Sequence, residues 1–483
     1  VSVGVLIATV VFSGFFILVK DSEFVNKSPV LSRISSISLK DGATRFTIWD
    51  MALQGVKERP LLGWGQENFN FVFNKYYEPS LHGQEPWFDR VHNIVFDWLI
   101  AGGILGFLAY ISIPIFMLYY LWRRVETRLS VVEKSVFTGL LAGYYFHNMF
   151  VFDNIVSYIF FFSVASYIYT HSAVAKKVKQ NIEDTQQSHI VNTGSMQRVA
   201  ISFIIIVVIF SLYFFNIKGM ASAKALIRGI SPQAEGIDAN ISNLEKALSY
   251  QVMGNQEVVE QMATLALRAK NEGADIEMQT KLFELADREM LALIERSPND
   301  ARILIFYSAF LNQFGRHEKA ISFLQRAIEL SPRKQQLLFE LGNSYLNMGD
   351  FNKAFDVFEK TYNLDTSFKD AEIIYRVGAI YAGREAQVNE LIGPISDEDK
   401  ANGKIINAYV QAGRLADVVT SWEIAVKNDP QNPQIRLSLA ASYLQIGRRQ
   451  DSIAEIQKAI DLNESFKEQG EFFISEIKAG RNP

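Results

Sequence analysis

The sequence contains no cysteine in 483 residues. Disulfides, thiolate nucleophiles and thiolate metal sites are therefore excluded, and the redox compartment carries no marker. An excess of one charge is also missing. The formal net charge is −4, so no basic balance points to nucleic acid. No Gly-x-Ser-x-Gly elbow, phosphate-binding glycine loop, zinc-binding His-Glu-x-x-His or dinucleotide glycine fingerprint occurs. No metal or cofactor is expected. A basic leader is absent too: the chain opens on "VSVGVLIATVVFSGFFILV", with no small-residue cleavage site after it. A signal peptide fits poorly, and the chain is expected to be the C-terminal part of a longer membrane protein.

What is present is a split. Nearly all long apolar runs fall within roughly the first 216 residues, and the remainder has the composition of a soluble helical protein. A helix needs about 20 apolar residues to cross a bilayer core. Residues 2–19, 94–121 and 199–216 meet that requirement. Residues 136–170 are too long for one straight span and carry polar "HNMFVFDN" in the middle. Two short helices, 136–150 and 155–170, are expected, with the bend at His147 to Asn154. The fold class is therefore all-α: polytopic transmembrane helices with an extramembrane loop at 20–92, then a helical solenoid. The expected domains are a membrane part at 1–216, a helical connector at 217–298 and repeats at 299–483.

Basic residues in short loops orient such helices. Loop 122–134 carries Arg123, Arg124, Arg128 and Lys134, and loop 171–198 carries Lys176, Lys177, Lys179 and Arg198. Both are expected on the cytoplasmic side of the inner membrane. The 20–92 loop, the 147–154 bend and everything after about 217 then face outward. The long outer loop has nine basic and nine acidic residues and adds little to this argument. Within it, Phe46, Trp49, Ala52, Leu53 and Val56 keep helical spacing until Pro60 and "GWG". Its aromatics, from Trp64 to Trp87, are expected to lie along the membrane surface.

The soluble part has a period. Gly315 recurs as Gly349 and Ala320 as Ala354; Tyr409, Gly413 and Ala425 recur as Tyr443, Gly447 and Ala459, all 34 apart. This spacing resembles tetratricopeptide repeats, helix pairs that stack into a solenoid because none buries its apolar face alone. Four clear units and a degenerate one at 367–398 are expected, and 230–298 reads as a worn start of the same array.

Residues 88–93, "FDRVHN", place Asp89, Arg90, His92 and Asn93 at the mouth of an apolar run. His-Asn is followed after nine residues by Gly103-x-x-Gly106. Upstream, "TRFTIWDMALQGVKERPLLGWGQENF" supplies Arg45, Trp49 and a Pro-Leu-Leu-Gly-x-Gly turn. Together these motifs, over about residues 1–170, resemble the O-antigen ligase superfamily, which includes polysaccharide polymerases and O-oligosaccharyltransferases. The resemblance implies transfer of a glycan from a polyprenyl diphosphate carrier to an acceptor hydroxyl at the outer membrane face, without a metal. The acceptor is a lipid, a glycan or a protein, and the repeats are expected to offer a groove to a protein partner. The missing nucleotide fingerprint fits a lipid-linked donor.

The resemblance implies roles that the chemistry of the residues allows. His92 is the general base or orients the acceptor, since imidazole is neutral near physiological pH. Arg45 binds the diphosphate through its planar, permanently charged fork. Arg90 is a second diphosphate candidate, or a cation anchored at the interface. Asp89 pairs with Arg90 or fixes the tautomer of His92, and Asn93 belongs to the same motif. Trp49 is a sugar platform or, more ordinarily, an interface or core residue. His147 and Asp153 sit in a polar bend between two apolar helices, where ionisable groups point to function unless they merely form a solvated tip. Gly103 and Gly106 are expected to permit close helix packing. His82, His171, His189 and His317 are isolated. A different class of function, a membrane-anchored repeat scaffold for envelope assembly, needs none of these roles.

Overall fold

The computed structural model describes residues 39–84, 86–123, 129–184 and 194–482, together with positions 19, 22, 25, 28 and 32. The apolar run 2–19, except Val19, and His189 lie outside the described residues. The chain separates into two units, Val1–Val207 and Val208–Pro483. All regular structure among the described residues is helical.

In the first unit, α1 spans Leu39–Glu58, α2 Phe69–Lys75, α3 Ile94–Trp122, α4 Val131–Asn148 and α5 Ile155–Asp184. The buried stripe of α1 is Ile48, Met51, Ala52 and Gly55, at helical spacing. It packs on Phe69, Val72 and Phe73 of α2 and on Tyr77, Leu81, Val91 and Ile100. Gly55 allows this approach, since a Cβ there would lie 2.5 Å from a methyl of Val72. Helical spacing alone leaves the buried face open, and one expectation, for the loop aromatics, is corrected. Phe46 and Leu53 face outward at 63% and 39% exposure, because the stripe over Ile48 and Met51 meets α2 instead. The aromatics after Trp64 are not laid out on a surface: Phe69, Phe73 and Tyr77 fill a core of their own. This segment is a small folded body.

The long helix α3 is interrupted. Gly103 has φ 60° and ψ −161°, outside helical geometry. A break in a helix leaves amides and carbonyls without partners. The turn "PLLGWG" supplies them. Trp64 N–H donates to Ile100 O at 2.6 Å and Gly65 N–H to Ala101 O at 3.1 Å, while Ile104 N–H donates to Pro60 O at 2.8 Å. Gly103 is therefore a docking point for a loop, not a helix-packing glycine. A Cβ on it would lie 2.4 Å from the carbonyl of Leu61, and one on Gly63 2.4 Å from Ile100 O. Gly106 has no comparably close neighbour: a Cβ there would find its nearest atom 3.9 Å away.

Past the break, α3 joins α4 and α5 through Met117, Leu121, Leu129, Leu141, Phe161 and Ile168. A Ser130–Glu133 capping box starts α4. Helices α4 and α5 are joined by a turn over residues 149–154, in which Asp153 and Asn154 are the polar side chains. Among the described residues, two helical stretches are long and apolar enough to cross a membrane, Ile94–Trp122 and Val199–Ile230; Ile155–His171 is apolar but shorter. The second stretch comprises α6, Gly194–Ser211, a π-type turn at Leu212–Ile217, and α7, Lys218–Ile230.

The second unit continues as helix pairs, with successive helices packed on one another through most of the array. Gly315, Gly349, Gly383, Gly413 and Gly447 each end the first helix of a pair at φ between 66° and 79°. The following residue donates back five positions, for example Asp350 N–H to Tyr345 O and Arg448 N–H to Tyr443 O, both at 2.9 Å. This left-handed cap is why glycine marks the period. The degenerate stretch 367–398 keeps the cap at Gly383, followed by a short helix, Glu385–Ile392.

Candidate functional site

The site is assembled where α1, the start of α3 and the α4–α5 turn meet. Asn93 caps α3, accepting from Val95 N–H at 2.9 Å and Phe96 N–H at 3.3 Å. Its Nδ2 donates to Met149 O at 3.1 Å, tying the helix mouth to the α4–α5 turn. Both ends of this buried side chain are thus engaged in holding the backbone.

His92, directly before that cap, has φ 55°. A side chain in this left-handed region costs about 1 kcal/mol or more, and such strain gathers at functional positions. The imidazole is half-buried, edge-on to Phe88 at 6.0 Å and to Phe152 at 5.3 Å between ring centres. The guanidinium of Arg90 lies 5.4 Å over the same Phe152 ring. One aromatic from the α4–α5 turn therefore positions both residues.

Arg90 is charge-compensated. It donates to Asp97 at 3.1 Å and pairs with Glu67. Asp89 is exposed, and the carboxylates that engage Arg90 are those of Asp97 and Glu67. Glu67 also has positive φ, 61°, in the loop that docks into α3. Asp97 is a partner that the motif does not announce, its one local signal being a carboxylate in "IVFDW" inside an otherwise apolar run.

Arg45 is exposed on α1 and makes no ion pair among the described residues. One turn on, Trp49 is half-buried, with ring centres 6.2 Å from Phe96 and 6.4 Å from Phe150. Trp49 thus joins α1 to α3 and to the α4–α5 turn, and its Nε1 is buried without a hydrogen-bond partner among the described residues. Asp153 is a buried node, accepting from Tyr110 Oη at 3.0 Å, Asn148 Nδ2 at 2.8 Å, Ser157 Oγ at 3.2 Å and Tyr144. It braces α3, α4 and α5 together. His147 is exposed, with Nδ1 3.3 Å from Asn148 Oδ1. Arg45, Trp49, Arg90, His92 and Asn93 therefore belong to elements linked by direct contacts, while Asp153 is engaged in bracing.

Residues 1–111 match the family described as O-antigen ligase. Tetratricopeptide repeat families match at 272–334 and 404–465, and at 335–367. The chain carries an O-antigen ligase domain followed by tetratricopeptide repeats. The ligase match ends inside α3, so it contains the body built on α1 and α2, the docked turn and the His92 motif. The repeat matches begin upstream of residue 299, where the period becomes legible.

Curated relatives match part of the chain. The BBSome complex member BBS4 homolog of Drosophila melanogaster is 22% identical over 210 residues, covering 39% of this chain and 43% of that protein. The Hsp70-Hsp90 organizing protein 3 of Arabidopsis thaliana is 23% identical over 215 residues, covering 42% and 36%. The chain thus spans less than half the length of these relatives. Among solved structures, a tetratricopeptide repeat protein from Parabacteroides merdae is similar at 14% identity and TM-score 0.35, covering 52% of this chain and 97% of that one.

Proposed function

We propose that this O-antigen ligase domain transfers a glycan from a polyprenyl diphosphate carrier to an acceptor hydroxyl at the outer face of the cytoplasmic membrane. The observation that carries the reading is His92: a non-glycine residue at positive φ, held between a helix cap and an aromatic shared with Arg90. In the reaction the acceptor oxygen attacks the anomeric carbon and the carbon–oxygen bond to the diphosphate breaks. The hydroxyl proton passes to the imidazole of His92, which acts as general base or orients the acceptor. The departing diphosphate is met by Arg45, whose exposed guanidinium offers a bidentate fork. No step is assigned to a metal ion. Arg90, already engaged by two carboxylates, is better suited to hold Phe152 and His92 than to bind a second anion. Asp97 keeps Arg90 in place. Asn93 and Asp153 act on the shape of the site, and Trp49, His147 and Asp89 lie at its margin.

The reading includes a multi-pass arrangement. Spans at 94–121 and 199–216 are joined by 2–19, 136–150 and 155–170 in a membrane part reaching to about residue 216. The repeats then stand outside the cytoplasm behind a helical connector and offer their groove to a protein partner or the acceptor. The test is glycan transfer by the full-length protein carrying His92→Ala or Arg45→Ala. Each is expected to reduce transfer by about 100-fold, the scale of a lost general base or charge clamp. Full activity in both variants removes these assignments.

A second reading is favoured by the repeats, matched from residue 272 to 465. In it the chain is a membrane-anchored scaffold for envelope polysaccharide or protein assembly. It gains if His92→Ala retains function while substitutions in the repeat groove abolish it.

A further inference from the structure

A cavity of about 690 Å³ lies where the second apolar stretch enters the soluble unit, between its last turns and the turn joining α8, Ile237–Ser249, to α9, Asn255–Asn271. Phe210 and Phe214 line one wall, Val252 and Met253 the other, with Lys218 and Glu257 also lining it. The Phe210 wall extends an unburied helix face, Phe210 being 61% exposed, and Met253 on the facing turn is 92% exposed. Large exposed apolar patches of this kind are costly against water and mark interaction sites. The π-type turn over Leu212–Ile217 interrupts regular helical spacing beside the cavity, a feature common at functional sites.

The depth of the cavity follows from helix geometry. Residues 199–217 span about 28 Å at 1.5 Å per residue, close to the thickness of a bilayer core. Lys218, the next residue, then falls at the level of lipid phosphates. Its Nζ sits 5.2 Å over the Phe214 ring and makes no ion pair among the described residues. One lysine and one glutamate lining the same cavity complement a phosphodiester next to an ammonium. A diphosphate, with its second anion, is a poorer match.

We propose that this cavity binds a zwitterionic phospholipid, seating an acyl chain against Phe210, Phe214 and Val252 with the phosphate on Lys218 and the headgroup ammonium near Glu257. The proposal rests on the reading that 199–216 spans the membrane. A bound lipid of this kind anchors the start of the repeat unit to the bilayer surface.

The test is photolabelling of the full chain in phosphatidylethanolamine nanodiscs containing that lipid with a diazirine in its acyl tail. Adducts are expected on Val252 and Met253 as well as on Ile201–Ile209. Leu226→Trp, which fills the cavity, and Lys218→Glu should each reduce the Val252 and Met253 adducts several-fold while leaving those on Ile201–Ile209 unchanged. Unchanged circular dichroism shows that each variant is folded; Ala223→Trp serves if Leu226→Trp is not. Adducts on Ile201–Ile209 with none at Val252 or Met253, or with labelling there indifferent to every substitution, overturn the proposal. Loss of adducts from Ile201–Ile209 as well overturns the spanning reading beneath it. Displacement of the label by a polyprenyl diphosphate, but not by unlabelled phosphatidylethanolamine, overturns the choice of phospholipid.

Discussion

Replacing Gly103 by alanine should destabilise the first unit far more than the same change one residue earlier. Gly103 has φ 60° and ψ −161°, a region essentially reserved for glycine. The added Cβ would lie 2.4 Å from the Leu61 carbonyl and 2.6 Å from Leu62 N, both backbone atoms that cannot swing aside. Either the loop leaves or α3 distorts. Four backbone hydrogen bonds are at stake, from Trp64, Gly65, Ile104 and Leu105. Losing two of them at about 1 kcal/mol each, with about 1–3 kcal/mol of backbone strain, gives a cost of about 3–5 kcal/mol. For a unit of this size that lowers the melting midpoint by about 6–20 °C. Gly102→Ala is the control, since nothing lies within 4 Å of its Cβ. Tryptophan fluorescence in detergent reads the difference well, because Trp49, Trp64, Trp87, Trp98 and Trp122 all belong to the first unit. Equal midpoints for the two variants would refute the docked-loop account of the Gly-x-x-Gly motif.

Three further outcomes are expected. Asn93→Ala removes the α3 cap and the bond to Met149, lowering stability by about 1–2 kcal/mol in chemical denaturation, whereas Asn93→Asp keeps the cap and should lose less. Burial pushes the Lys334 ammonium down to about 7, with Asp300 pulling weakly the other way. Between about 7 and its ordinary value near 10.5 the unfolded chain therefore holds the extra proton, so the stability of the repeat unit should rise with pH across that window. Lys334→Met should be more stable at pH 7 and show a flatter pH profile by differential scanning calorimetry. Gly349→Ala, at φ 77°, should lower the repeat midpoint by an amount matching about 1 kcal/mol, while Gly403→Ala, with no positive φ and open space around it, should not.

Much of the fold was legible in the chain because it is periodic. The 34-residue spacing of glycines reflects a left-handed cap that recurs once per helix pair, so local chemistry alone marks each unit. Long apolar runs announced α3 and the 199–230 stretch for an equally local reason. Helix α1 was legible as a helix but not by face: Phe46, Ile48, Leu53 and Val56 are all apolar, and the choice of buried stripe belongs to α2. The candidate site divides in the same way. His92, Asn93 and the arginines stood out as polar groups at a helix mouth, and Asn93 fits the cap position that sequence rules favour.

Its partners did not stand out. Phe152 reaches His92 and Arg90 from 60 and 62 positions away, and Asp97 claims Arg90 where neighbouring Asp89 was the obvious choice in sequence. By itself the sequence determined where helices start, stop and repeat, since capping, periodicity and glycine geometry act within a few residues. Only the tertiary structure decided what the Pro-Leu-Leu-Gly-x-Gly turn is for. Its amides and carbonyls complete a helix broken some 40 residues later, and hydrogen bonds between distant backbones leave no local signature.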